Sequence, residues 1–223
     1  MFIELVGSLR CVHEHALSWL VASAYRMEDR DIVSGELGCH ICGARYSVED
    51  GVADFRELGA EATPASPPSR AAAGMRAPYD AAPEELALRV AALMELASPG
   101  GVVVLAGSWS SAAALLASGD VGERVHVLTL DPAVDVVSGR GISIALTARR
   151  PPLRPATVRG IALDAAHASI EYAGAAAESL RPGARLIAPL DTPLPAGLAE
   201  VARDSDYWLA EKGRGVRVEL KRR

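Results

Sequence analysis

The stretch Val102–Leu116, VVVLAGSWSSAAALL, decides how this chain is read. Five apolar residues run into Gly107, then Trp109 among three serines, then an alanine-rich run. A short apolar run closed by a turn signal reads as a buried strand, and the alanines after it favour helix. Strand, tight turn and helix open a nucleotide-binding α/β domain, in which several glycines let the backbone close on the ligand. Here a single glycine is followed by an indole. The turn is either a cofactor site or what is left of one.

Outward from this turn the same alternation continues. Upstream, Pro83 stands near a helix start with Glu84 and Glu85 in the first turn, where they suit the helix dipole. Leu86, Val90, Leu93 and Leu96 follow at helical spacing. Downstream, strands are expected at 125–130, 142–147, 158–163, 184–188, 207–211 and 216–220, with helices over 112–117 and 168–180. The fold class expected for residues 83–223 is therefore α/β: a Rossmann-like, mostly parallel sheet with helices on both faces.

Bulk composition narrows the function. The chain has 223 residues, 50% of them hydrophobic, enough for a substantial core. A formal net charge of -5 and an aromatic share of 4% argue against nucleic acid as a partner, which calls for a basic face or a stacking platform. No basic segment followed by an apolar core opens the sequence, so no signal peptide is expected. Between Glu95 and Asp120 no residue is charged, but Pro99, Gly100, Gly101, Gly107 and the serines break the run too often for a membrane span.

Residues 57–82 are rich in Ala, Pro, Ser and Gly and read as a linker. They set off a first unit, residues 1–56, whose distinguishing feature is CVHEH at 11–15 and CHIC at 39–42. Three cysteines make a poor disulfide framework and a good metal site in a reducing cytoplasm, where the protein is expected. Cys39 and Cys42 have the spacing of two thiolates on one tight turn, and Cys11 adds a third. The fourth ligand of a structural zinc falls to His15, which has the longer loop from Cys11, or to His13; Glu14 suits the role less and His40 points away. A unit this small has little core, so the metal supplies much of its folding energy.

Two resemblances follow from these residues. Around the second cysteine pair, Cys39, Cys42, Tyr46, Val48, Asp50 and Gly51 fall on the pattern of the small zinc-ribbon activators of tRNA methyltransferases. The first pair of that pattern is replaced here by CVHEH. The element order of residues 84–223, with Asp131 ending the second strand and Leu180–Gly183 as LRPG, resembles the class I S-adenosylmethionine-dependent methyltransferases. That resemblance implies a cofactor site at Gly107, Ser108, Trp109 and Asp131, the carboxylate holding ribose hydroxyls; as a residue before Pro132, Asp131 equally reads as a turn former.

The departures fall on the functional positions. Trp109 and Ser111 replace expected glycines, and Arg159 stands where the family often has Asp. Trp109 is read as a core filler that closes the pocket. Asp164 and His167, three apart after the fourth strand, are read as surface or helix-start residues. The resulting expectation is a non-catalytic protein, a zinc ribbon joined to a degenerate methyltransferase-like domain that acts as partner or scaffold for another protein. The rival is an active methyltransferase with an unusual loop, acting on a small molecule, a protein or RNA; ribosomal-RNA guanine methyltransferases also join a zinc module to this fold.

Overall fold

The computed structural model describes residues 1–16, 18–56 and 78–214. Most of the expected linker and the strand expected at 216–220 lie outside the described residues. Those described share one sheet of 11 strands.

The first four strands form an antiparallel meander: β1 (Leu20–Glu28), β2 (Asp31–Cys39), β3 (Arg45–Glu49) and β4 (Val52–Asp54). The β3–β4 turn is Asp50-Gly51, with φ of 48° and 77°. Both residues are left-handed, as a two-residue hairpin that matches strand twist requires. β4 then pairs in parallel with β7 (Ile142–Leu146), so the meander is continuous with the sheet of the second half.

That half supplies β5 (Val102–Ala106), β6 (His126–Leu130), β8 (Val158–Ala162), β9 (Leu180–Pro189), β10 (Leu198–Arg203) and β11 (Tyr207–Lys212). The run β4-β7-β6-β5-β8-β9 is parallel; β11 and β10 complete the sheet antiparallel. From β5 the chain winds to β6 and β7 on one side, then returns to β8 and β9 on the other. The crevice between the carboxyl ends of β5 and β8 is thus the switch point, the place where such sheets bind ligands.

Burial explains the apolar strands. All five residues of β7 are buried, as a parallel strand covered on both faces requires. Alternation along β5 divides the core in two. Val103 and Leu105 pack with Leu86 and Val90 of α1 (Pro83–Leu93) and Leu116 of α2 (Ala113–Ser118). Val104 and Ala106 join the cluster that holds Leu5, Leu9, Phe55 and Tyr172 of α3 (Ile170–Ser179). The Ser169 hydroxyl caps α3 by accepting the Tyr172 N–H at 3.2 Å.

Three details differ from expectation. LRPG is not a turn before a strand: it opens β9, and the β8–β9 register breaks there, between Val158 and Gly160. β10 was hidden because its side chains are almost all exposed and carry no apolar run. Near the end of the expected linker, Tyr79 packs against Trp109 and Tyr207, with ring centroids 6.0 and 5.1 Å away. No helix among the described residues is long and apolar enough to cross a membrane.

Candidate functional site: a metal knuckle and a filled crevice

The knuckle is built where β2 hands over to β3. Cys39 ends β2, and its N–H donates to the Ala44 carbonyl at 2.8 Å while the Gly43 N–H donates back to the Cys39 carbonyl at 2.9 Å. Gly43 has φ +74°, a conformation open to glycine at little cost. This turn aims the Ile41 and Cys42 amides at the Cys39 sulfur. Burial alone raises the Cys39 thiol, but the Ser18 hydroxyl, 3.3 Å away, and those amides outweigh it and bring the pKa to about 6. Cys39 is poised as a thiolate, the form that binds metal.

Cys11 arrives from the neighbouring segment, in which Arg10 bridges to Trp19 just before β1. Its sulfur lies 3.6 Å from that of Cys42 and 3.0 Å from the Tyr46 hydroxyl. Burial pushes the Cys11 thiol up to about 11, against the pull of Tyr46. The Tyr46 hydroxyl already accepts the Val12 N–H at 3.3 Å, which leaves its proton free for the sulfur.

His15 completes the set. Its Nε2 is 3.3 Å from Cys39 Sγ, while its Nδ1 lies 2.6 Å from the Ala16 carbonyl. A carbonyl only accepts, so Nδ1 carries the proton and the Nε2 lone pair faces the sulfurs. That is the second-shell arrangement of metal-ligating histidines. The ligand atoms of Cys11, His15, Cys39 and Cys42 all lie within 4.8 Å of one another. A tetrahedron with Zn–S bonds of about 2.3 Å has edges of roughly 3.7 Å, close to the 3.3 and 3.6 Å separations seen. Three thiolates and one imidazole are a donor set that zinc accepts as a closed structural site. His13 stands outside this group, with Nδ1 3.5 Å from Cys42 Sγ. His40 packs on Trp19 instead, ring centroids 5.1 Å apart.

The switch-point crevice is occupied by the protein's own side chains. Trp109 is fully buried, and its Nε1 donates to the Leu163 carbonyl at 3.1 Å, tying the end of β5 to the end of β8. Gly107 has φ +57°, and a Cβ there would run into the Asp164 carboxylate. The Ser108 N–H donates to Asp164 at 2.8 Å. Ser110 and Ser111 turn their hydroxyls back onto the carbonyls of Gly107 and Ser108. We expect Gly107→Ala to cost at least about 2 kcal/mol, from the left-handed backbone plus the displaced carboxylate; urea unfolding of the variant beside wild type measures it.

Asp164 and His167 are helix-start residues, Asp164 preceding the 3-10 turn Ala165–His167, but they are not on the surface. They are 1% and 8% exposed, and His167 lies between two carboxylates. Its Nδ1 is 2.6 Å from Asp164 and its Nε2 3.1 Å from Asp131. Burial works to neutralise the imidazole, but the bonds and charges of Asp131 and Asp164 prevail and hold its pKa at about 9. Burial likewise works to raise Asp164, and His167 and Ser108 overcome it and lower its pKa. Asp131 also accepts from the Thr147 N–H at 2.8 Å and from the Thr147 hydroxyl, which touches Tyr172 Oη at 3.1 Å. The i, i+3 spacing of Asp164 and His167 was visible in the sequence; Asp131, 36 residues away from His167, was not visible as its second partner. Arg159 serves the loop beneath, donating to the carbonyls of Glu95, Ser98 and Gly100.

No family model matches this chain, and neither does any curated protein. Among solved structures, the antibiotic-resistance methyltransferase Kmr overlaps 57% of this chain and 93% of its own, at 15% identity and a TM-score of 0.37. An overlap of that score does not fix a common fold.

Proposed function

We propose that this protein is a zinc-stabilised binding partner or scaffold for another protein, without catalytic activity of its own. The observation that carries this is the filled crevice. A cofactor at the switch point needs the space that the indole of Trp109 takes, and a free carboxylate, while Asp131 is spent on Thr147 and His167. The His167 imidazole is held between Asp131 and Asp164, whose charges favour its protonated form, and an imidazole in that form does not serve as a general base. Zinc at Cys11, His15, Cys39 and Cys42 holds the knuckle, and the edge beside it offers exposed Trp19, just before β1, with Val21, Tyr25 and Met27 of β1, to a partner. A role on a methyltransferase follows from the ribbon resemblance alone.

The rival reading, a working S-adenosylmethionine-dependent methyltransferase, draws on a cavity of about 1170 Å³ between α2 and the 134–142 loop, which Ser110 and Ser111 help to line. Calorimetric titration of S-adenosylmethionine into the zinc-loaded protein separates the two. We expect no heat of binding up to millimolar cofactor. Micromolar affinity, lost when Asp131 is changed to Ala, overturns the scaffold.

A further inference from the structure

A second cavity, of about 300 Å³, lies where the loop of the metal knuckle meets the carboxyl ends of β4 and β7. Its walls divide by chemistry. Val12, Phe55 and Ala148 are apolar, whereas His13, Glu14, Arg149, Arg150 and Glu171 are polar. Phe55 directly follows β4, and 148–150 follow β7, so both reach the rim where loops of parallel strands meet ligands.

Arg150 is the informative residue. Its side chain is only 20% exposed, yet among the described residues its one charged partner is Glu14, at 3.8 Å, and that carboxylate is 92% exposed. No hydrogen bond to Arg150 is formed by any described residue. A guanidinium has five N–H donors and cannot shed its charge. Withdrawn this far from water, it wants a closer acceptor than a solvated glutamate beyond hydrogen-bond reach. Arg149 stands beside it in the lining and, unlike Arg150, has no ion-pair partner among the described residues.

We propose that this pocket binds a small organic monocarboxylate. Its planar carboxylate lies in the fork of Arg150, displaces Glu14 and is flanked by Arg149; its short carbon body rests on Val12, Phe55 and Ala148. Fork-to-carboxylate geometry gives two parallel N–H···O bonds, which a lysine cannot copy. The charge balance sets the valence: two guanidiniums face two carboxylates, so a single added anion is matched by the release of Glu14, whereas a polyphosphate is repelled by Glu171. The volume is at the low end for ligand sites, which suits a compact acid.

The test is a titration of the zinc-loaded, full-length protein with sodium propionate at fixed ionic strength, followed by the Nε–H resonances of its arginines. Inorganic phosphate is titrated in parallel. We expect saturable propionate binding that moves the Arg150 resonance, with affinity falling about tenfold or more in Arg150→Gln and also in Arg150→Lys, which keeps the charge and loses the fork. Zinc content and melting temperature, measured on each variant, show that the fold is intact; should Arg150→Gln fail to fold, Arg149→Gln takes its place and is expected to weaken binding less. Absence of saturable shifts, equal affinity in wild type and Arg150→Lys, or tighter binding of phosphate than of propionate overturns the proposal. None of these readouts depends on whether the crevice at Trp109 is closed, so the pocket and the scaffold reading stand or fall separately.

Discussion

Stripping zinc from this protein, or changing Cys39 to Ser, is expected to lower its melting temperature by about 10–20 °C. The physical basis is the position of the knuckle. Cys11 and Cys39 belong to the same buried cluster as Leu37, Tyr46, Val48 and Phe55. Without metal, three thiols and an imidazole must share a space in which sulfur and nitrogen atoms sit 3.3–3.6 Å apart. An isolated zinc finger owes its whole fold to the ion, but here β2 and β3 are also held by the sheet, so a loss on the order of 5 kcal/mol is reasonable. In a chain of this size each kcal/mol moves the midpoint by about 2–4 °C. His15→Ala should lose the metal and His13→Ala should keep it. Tyr46→Phe should retain zinc with affinity lowered roughly 10–100-fold, the usual cost of losing a second-shell bond. Native mass spectrometry counts the ion and calorimetry reads the midpoint. A wild type that carries no metal and melts at the same temperature after chelation refutes the site.

How much of this was legible beforehand depends on the range of the interaction. The strand at Val102–Ala106 was readable because a parallel strand buried on both faces must be apolar at every position. The knuckle was readable because two thiolates on one turn are a local pattern, and even the choice of His15 rested on loop length. The Nδ1 bond of His15 to the Ala16 carbonyl, which turns Nε2 towards the sulfurs, depends on ring orientation, which spacing does not encode. The parallel pairing of β4 with β7 joins residues about ninety positions apart and has no local signature. The lock on His167 failed to show for the same reason. Asp131 and Asp164 end different strands, and only the winding of the sheet brings both to one imidazole. Trp109 lies between these cases. Its bulk said that the turn was not a glycine-rich cradle; that its ring NH would tie β5 to β8 needed the neighbouring strand.

The lock also makes stability depend on pH in a defined direction. His167 has an ordinary pKa of 6.5 when unfolded and about 9 in the folded protein. Because the folded value is the higher one, its contribution is fully present below pH 6.5, declines as pH rises, and is gone once pH passes through about 9. The gap between the two values corresponds to about 3 kcal/mol. Above it, a neutral imidazole leaves Asp131 and Asp164 without a cation between them. Asp164 has its folded pKa lowered by the same contact, so the contact also weakens in acid, as pH falls through that lowered value. Both limbs describe one interaction and are counted once. Replacing His167 with Gln removes the cation and leaves two carboxylates facing each other, one of them buried, a change that typically costs about 3–5 kcal/mol. Urea unfolding of zinc-saturated protein at pH 6, 7.5 and 9.5 measures both effects. Wild type should lose about 3 kcal/mol more than His167→Gln across that range, the variant starting lower and falling less. The cysteine thiols of the unfolded chain titrate in the same window, but they are common to both proteins and cancel in the difference. Parallel curves for the two proteins would mean that the imidazole is neutral in the fold, and the crevice would again hold a general base at neutral pH.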